Sequence, residues 1–181
     1  GIYSLAYQIN GILMQFPTLA GSLLLPLFVT LNRSNNAEKV SRYMKEILPL
    51  LTFFGSIIIV VTAFFMQYLL PFIWGEHFAA AVPIFWILAS STIFAFPGLI
   101  GYGPYFNAYS ATYVASVNAT VSSIVNVAAN FILIPNYGLK GCAWATVLSY
   151  TVSFLVTTLI LKYYLKLQFT WTTFALLPVL V

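Results

Sequence analysis

Long uncharged apolar runs alternate with short polar joints along this chain, and the run lengths decide what each run can be. Five complete runs cover about 1–31, 47–70, 79–101, 108–134 and 142–161, and a partial one covers 169–181. A hydrocarbon core about 30 Å thick needs roughly 20 helical residues at about 1.5 Å each, so every complete run predicts one membrane span. The spans must be helical, because an open sheet would leave backbone groups unpaired in lipid. Short joints make consecutive helices antiparallel neighbours. The predicted fold is an all-α membrane protein, an antiparallel transmembrane helix bundle. The run 169–181, at 13 residues, falls short of a span. Gly1 opens the chain with neither an initiator methionine nor a charged leader. Both ends read as cut, and the expectation is a piece of a longer membrane protein.

Composition agrees with the pattern. Only 6% of residues are charged, 61% are hydrophobic, and the mean hydropathy is +0.96. Soluble domains carry about a quarter charged residues, so this chain could not cover a water-facing surface. The net charge of +4 rests on seven basic residues, most of them in two clusters between apolar runs, so nucleic acid is not an expected partner. The sole cysteine, Cys142, cannot form an intrachain disulfide and reads as a packing residue at a helix start.

Charge asymmetry orients the bundle. Arg33, Lys39, Arg42 and Lys45 lie after the first span, and Lys162 and Lys166 after the fifth. The opposite side holds Lys140 alone, with Glu76 and His77. By the positive-inside rule the joint 32–46 is expected to be cytoplasmic and the hairpin 135–141 outside. Trp74, Tyr137, Trp144, Tyr163, Tyr164 and Trp171 fall near predicted span ends, where interfacial aromatics concentrate.

The joint 32–46 is the one strongly charged element. Asn35 or Asn36 is placed to cap a helix running into the second span, with Glu38/Arg42 and Arg42/Glu46 as i,i+4 pairs. Arg33, Lys39, Arg42 and Lys45 are candidate contacts for anionic headgroups or a lipid diphosphate. They serve equally as an ordinary topology signal. Asn32-Arg33-Ser34 matches a glycosylation acceptor, which has no meaning on a cytoplasmic joint.

Polar residues inside the spans are more telling. Asn118, Ser122, Asn126 and Asn130 recur every fourth residue and make a stripe down the fourth span. Gln8, Gly11, Gln15, Thr18 and Ser22 form a seam on the first. Buried amides need partners, because an unpaired group in hydrocarbon costs several kcal/mol. One reading makes Asn118, Ser122, Asn126, Asn130, Gln8 and Gln15 a candidate substrate path lined by exchangeable hydrogen bonds. The other makes them helix–helix contacts, averaging about 0.6 kcal/mol each.

Prolines punctuate the runs. Pro49 and Pro83 are expected in first turns, whereas Pro17 and Pro97 should kink or break their spans. The stretch 96–104, F-P-G-L-I-G-Y-G-P, reads as a flexible helix terminus. Pro135 is expected to end the fourth span, with a turn through Asn136, Tyr137, Gly138, Lys140 and Gly141 before small residues Cys142, Ala143 and Ala145 open the fifth.

That junction carries a resemblance. The stretch N-F-I-L-I-P-N-Y-G-L-K-G-C-A-W-A-T at 130–146 resembles the hairpin N-x-x-L-I-P-x-Y-G-x-x-G-A-A-x-A-T of polysaccharide flippases, in the superfamily that includes multidrug-extrusion transporters and lipid II flippases. G-I-Y-S-L-A-Y at 1–7 resembles the family's G-x-Y-x-x-A-Y, and Leu25-Pro26-Leu27 resembles its L-P-x-L-S stretch. The stretch 70–81 resembles an outward loop L-x-G-x-x-Y-x-x-A, with Trp74-Gly75 in place of the commoner Phe-Gly and Phe78 where tyrosine is frequent. The resemblance implies part of the C-terminal lobe of a two-lobed transporter in the inner membrane, an N-terminal lobe elsewhere in the same chain, and rocking between the lobes. It also implies a polyprenyl-diphosphate-linked glycan as cargo, for O-antigen-like or lipopolysaccharide assembly, with membrane lipids as further partners.

Catalytic chemistry finds little material. There is no aspartate, the three glutamates lie outside the spans, and one histidine with one cysteine cannot build a metal site. No glycine-rich phosphate loop follows a strand, so no cofactor or enzymatic activity is expected. Two alternatives to a glycan flippase stay open: a cation-coupled drug exporter of the same superfamily, which would want a membrane carboxylate absent from these spans, and a non-transporting membrane scaffold.

Overall fold

A computed structural model describes residues 1–163, and the expected partial span 169–181, with Tyr164, Lys166 and Trp171, lies outside them. The described chain is an all-α helix bundle with five helical stretches long and apolar enough to cross a membrane. Helix α1 spans Ile2–Arg33. Helix α2 (Ala37–Arg42) passes through a π-turn (Tyr43–Ile47) into α3 (Leu48–Trp74). A 3₁₀ turn (Glu76–Ala80) leads into α4 (Ala81–Pro97), a second π-turn (Gly98–Tyr102) and α5 (Gly103–Ala108). Helices α6 (Tyr113–Tyr137) and α7 (Leu139–Tyr163) close the series.

The corners follow from residue chemistry. Asn35 takes φ +49°, which asparagine tolerates, and Asn36 then caps α2 by accepting the Lys39 N–H at 3.1 Å. Gly75 (φ +91°) and Gly138 (φ +56°) end α3 and α6. Gly138 is the single residue between α6 and α7.

Several proline expectations are corrected. Helix α1 passes through Pro17 and Pro26 unbroken. Pro135 does not end α6: its fixed φ is itself helical, so the helix runs on to Tyr137 until Gly138 turns it. The stretch 96–104 is a continuous helix, because a wide π-turn accommodates Pro97, Gly98 and Gly101 without a break. Pro49, by contrast, stands in the first turn of α3 as expected, with the other π-turn joining that helix to α2. Most of the joint 32–46 is therefore helix, with a break only at the Asn35 corner.

Helix α4 is central, packing against α1, α3 and α7, while α6 packs chiefly on α7. Two apolar clusters fill the interior. One, at the end carrying Arg33 and Lys45 (the basic end), joins Phe28, Tyr43, Met44, Leu48, Tyr102 and Phe154. The other, toward the α6–α7 turn (the hairpin end), joins Ala6, Ile9, Ile59, Ile84, Phe85 and Leu88. Between α1 and α4, buried Thr92 donates to Asn10 Oδ1 at 3.0 Å, an intramembrane polar pair absent from the first-span seam described above.

The two π-turns meet at the basic end. The Tyr43 hydroxyl donates to the Ile100 carbonyl at 3.0 Å, and both residues are buried. A methyl on Gly101 would come within 2.7 Å of Leu48 Cδ2, and one on Gly21 would overlap the Leu99 carbonyl. Tyr43→Phe removes that bond at a cost of about 1 kcal/mol. A fall of a few degrees in the melting temperature of the detergent-solubilised protein is the expected result, and an unchanged melt would show that the bond contributes nothing.

Candidate functional site

The side of α7 toward the chain start and α6 is polar at three–four spacing: Cys142, Thr146, Ser149, Ser153 and Thr157. Helix α6 meets it with its asparagine stripe. Asn118 Nδ2 donates to Ser153 Oγ at 2.7 Å, and Asn126 Nδ2 reaches Ser149 Oγ at 3.4 Å. Asn130 Nδ2 donates to Asn126 Oδ1 at 3.0 Å. Ser122 turns its hydroxyl back onto the Asn118 carbonyl at 2.7 Å. The close approach rests on Gly141, where any side chain would meet the α6 backbone at Leu133.

These helices border two cavities with shared walls. The larger, about 570 Å³, lies between the start of α1 and the α6–α7 pair, with Tyr3, Tyr7, Asn126, Thr146 and Ser149 among its walls. The smaller, about 240 Å³, continues toward the basic end past Asn118, Met14, Phe94, Tyr102 and Thr157. Tyr150 and Ser153 line both, so the two adjoin and mark a candidate path along α7. The path is polar toward the hairpin end and grades into aromatic and aliphatic walls toward the basic end.

No charged side chain is among the residues lining either cavity. The hydroxyl protons are largely committed to their own helices: Ser149 donates to the Thr146 carbonyl at 2.9 Å and Thr146 to the Cys142 carbonyl at 3.2 Å. Their lone pairs remain. Asn118 Oδ1, buried at the wall of the smaller cavity, and Asn130 Oδ1 have no hydrogen-bond partner. Among the described residues no three His, Cys, Asp or Glu side chains gather where a metal could sit. The chemistry available is hydrogen-bond exchange between uncharged groups.

The residues singled out in the sequence divide by position. Asn118, Ser122 and Asn126 line the path, whereas Asn130 lies in a shallow depression with Val127, Phe131 and Pro135. Gln8 is exposed and contacts Ser4 at 3.5 Å, and Gln15 lines a separate groove with Gly11 and Thr18. Tyr3 and Tyr7 are what α1 contributes to the cleft instead. Arg33, Lys39, Arg42 and Lys45 gather at the basic end, with Arg42 paired to Glu46 at 2.9 Å on the exposed face. The α7 residues were missed, although the four-residue spacing test applied to the fourth span also finds them in the fifth.

A curated protein to which the chain is similar is the "Probable low-salt glycan biosynthesis flippase Agl15" of Haloferax volcanii, 24% identical over 177 residues. The match covers 95% of this chain and 36% of that relative, so the chain spans about a third of its length. No protein-family model matches the chain, and no solved structure matches it with significance. The likeness and the five apolar helices together support a membrane transporter role.

Proposed function

We propose that this chain is part of one lobe of a flippase that carries a polyprenyl-diphosphate-linked glycan across the cytoplasmic membrane for surface polysaccharide assembly. The observation that carries the reading is the charge-free polar path along α7, in a chain similar over 95% of its length to a protein named as a glycan biosynthesis flippase. A glycan hydroxyl entering hydrocarbon without a partner costs several kcal/mol, and a sugar carries many of them. A wall of amides and hydroxyls replaces water for the polar head while the polyprenyl tail stays in lipid. In this reading the basic end is cytoplasmic, in line with its excess of Lys and Arg, and the Gly138 turn faces outward. The other lobe, elsewhere in the full-length chain, faces this path, and rocking between the lobes opens it alternately to either side.

The test is reconstitution of the full-length protein in vesicles loaded with a fluorescent polyprenyl-diphosphate trisaccharide of neutral hexoses. Leaflet exchange, read by an externally added glycosidase, should be accelerated at least about tenfold over empty vesicles, equivalent to ~1.4 kcal/mol off the barrier. Exchange at the rate of empty vesicles would sink the proposal.

A further inference from the structure

The cleft between α1, α6 and α7 has a feature that its polarity alone does not convey: it offers hydrogen-bonding groups and no charge. Ser122, Thr146 and Ser149 spend their protons on helix carbonyls, and one amide proton each of Asn126 and Asn130 goes to Ser149 and Asn126. The lone pairs of these hydroxyls face the path, and the buried Asn118 Oδ1 lacks any partner in the smaller cavity. Tyr3, Tyr7 and Tyr150 add aromatic surface and hydroxyl groups to the walls. No cation stands among the lining residues, and the basic side chains Arg33, Lys39 and Arg42 lie at the basic end of the bundle.

We infer that this cleft is the subsite for the uncharged sugar units of the cargo, and that the diphosphate does not enter it. The inference rests on the flippase reading and adds to it which part of the cargo these residues recognise. A sugar hydroxyl is a donor and finds acceptors here, and sugar C–H faces stack on aromatic rings. A phosphate oxygen is an acceptor only. In this cleft its charge would have no cation to offset the desolvation, which is the unfavourable case for a buried charge. A uronic acid carboxylate meets the same penalty. The volume of about 570 Å³ lies in the range of roughly 300–1,000 Å³ usual for small-molecule sites, room for a sugar segment with water.

Cys142 lines this cleft, is half-buried, and is the only cysteine in the chain, so it serves as a reporter in place. The experiment uses the full-length protein in vesicles, with any cysteine outside this segment replaced and Cys142 retained. The rate of Cys142 modification by a cationic methanethiosulfonate reagent is measured with three additives: polyprenyl diphosphate bearing a neutral hexose trisaccharide, polyprenyl diphosphate alone, and the trisaccharide lipid with one hexose replaced by glucuronic acid. The neutral glycolipid is expected to slow modification about tenfold more than either of the others, the discrimination usual when a group leaves buried partners unpaired. Equal protection by polyprenyl diphosphate alone overturns the inference, because the headgroup would then be the occupant. A thiol that never reacts also overturns it, since the cleft would be dry. Absence of protection in vesicles that still exchange the glycolipid overturns the subsite and leaves the flippase reading standing. Failure to exchange any glycolipid removes both.

Discussion

Gly141→Ala is expected to separate α6 from α7 and lower the yield of folded protein. Its Cβ would overlap the Leu133 carbonyl oxygen and sit 2.6 Å from the carbonyl carbon and 3.0 Å from Ile134 N, where 3.4 Å already counts as ordinary contact. The obstructing atoms are backbone, so no rotamer change relieves them. Helices in a bilayer associate by close packing rather than by escape from water, and small residues at the crossing supply it. Overpacking a tight contact costs about 1–3 kcal/mol. The same displacement pulls Asn118 from Ser153 and Asn126 from Ser149 further along the crossing. Gly11→Ala is the control: a methyl there meets nothing within 4 Å, and an alanine in mid-helix is favourable by about 0.5–1 kcal/mol. Thermal melts in detergent should show a large fall for the first variant and none for the second. Equal melts would show that the crossing is looser than described.

Asn126→Leu combined with Asn130→Leu is expected to leave the protein inserted and to depress glycan export about tenfold, the effect of ~1.4 kcal/mol on a barrier. The pair is chosen so that few polar atoms are orphaned. The two amides bond to each other, and Ser149 keeps its bond to the Thr146 carbonyl. The stability lost should stay near the average for intramembrane contacts, about 0.6 kcal/mol each. Asn126 lines the cleft, so its loss removes a wall group that a passing glycan would use. Gln8→Leu, on an exposed face away from both cavities, should leave export unchanged. Surface glycan is measured at matched protein level. Normal export in the double variant would reduce the stripe to a packing seam.

What the sequence made legible was periodicity within single helices. The apolar runs announced an all-α bundle, and the four-residue recurrence of Asn118, Ser122, Asn126 and Asn130 placed them on one face before any partner was known. Contacts between distant runs were not legible. Nothing local says that Tyr3 and Tyr7, rather than Gln8 and Gln15, face the α6 stripe, because that depends on how α1 is rotated against α4. Nor does a local rule place Asn10 opposite Thr92, 82 residues away. Prolines were over-read for a related reason. A breaker rule assumes the α-helical hydrogen-bond pattern, and a π-turn evades it by widening the ladder around Pro97, while Pro135 simply continues a helix already near its end.

The paired π-turns also bear on how this chain should be aligned with others. A π-turn is an α-helical turn holding one additional residue. A relative with plain helices at these places would lack one residue near 43–47 and one near 98–102, and its alignment with this chain would need a one-residue gap at each. Such a gap rotates every later side chain by about 100° relative to the preceding ones. Gained or lost alone, one insertion would turn the face of Leu48 or of Tyr102 away from the other. The two meet through Tyr43 and Ile100 and through Leu48 and Gly101, so the insertions are expected to be present or absent together across relatives.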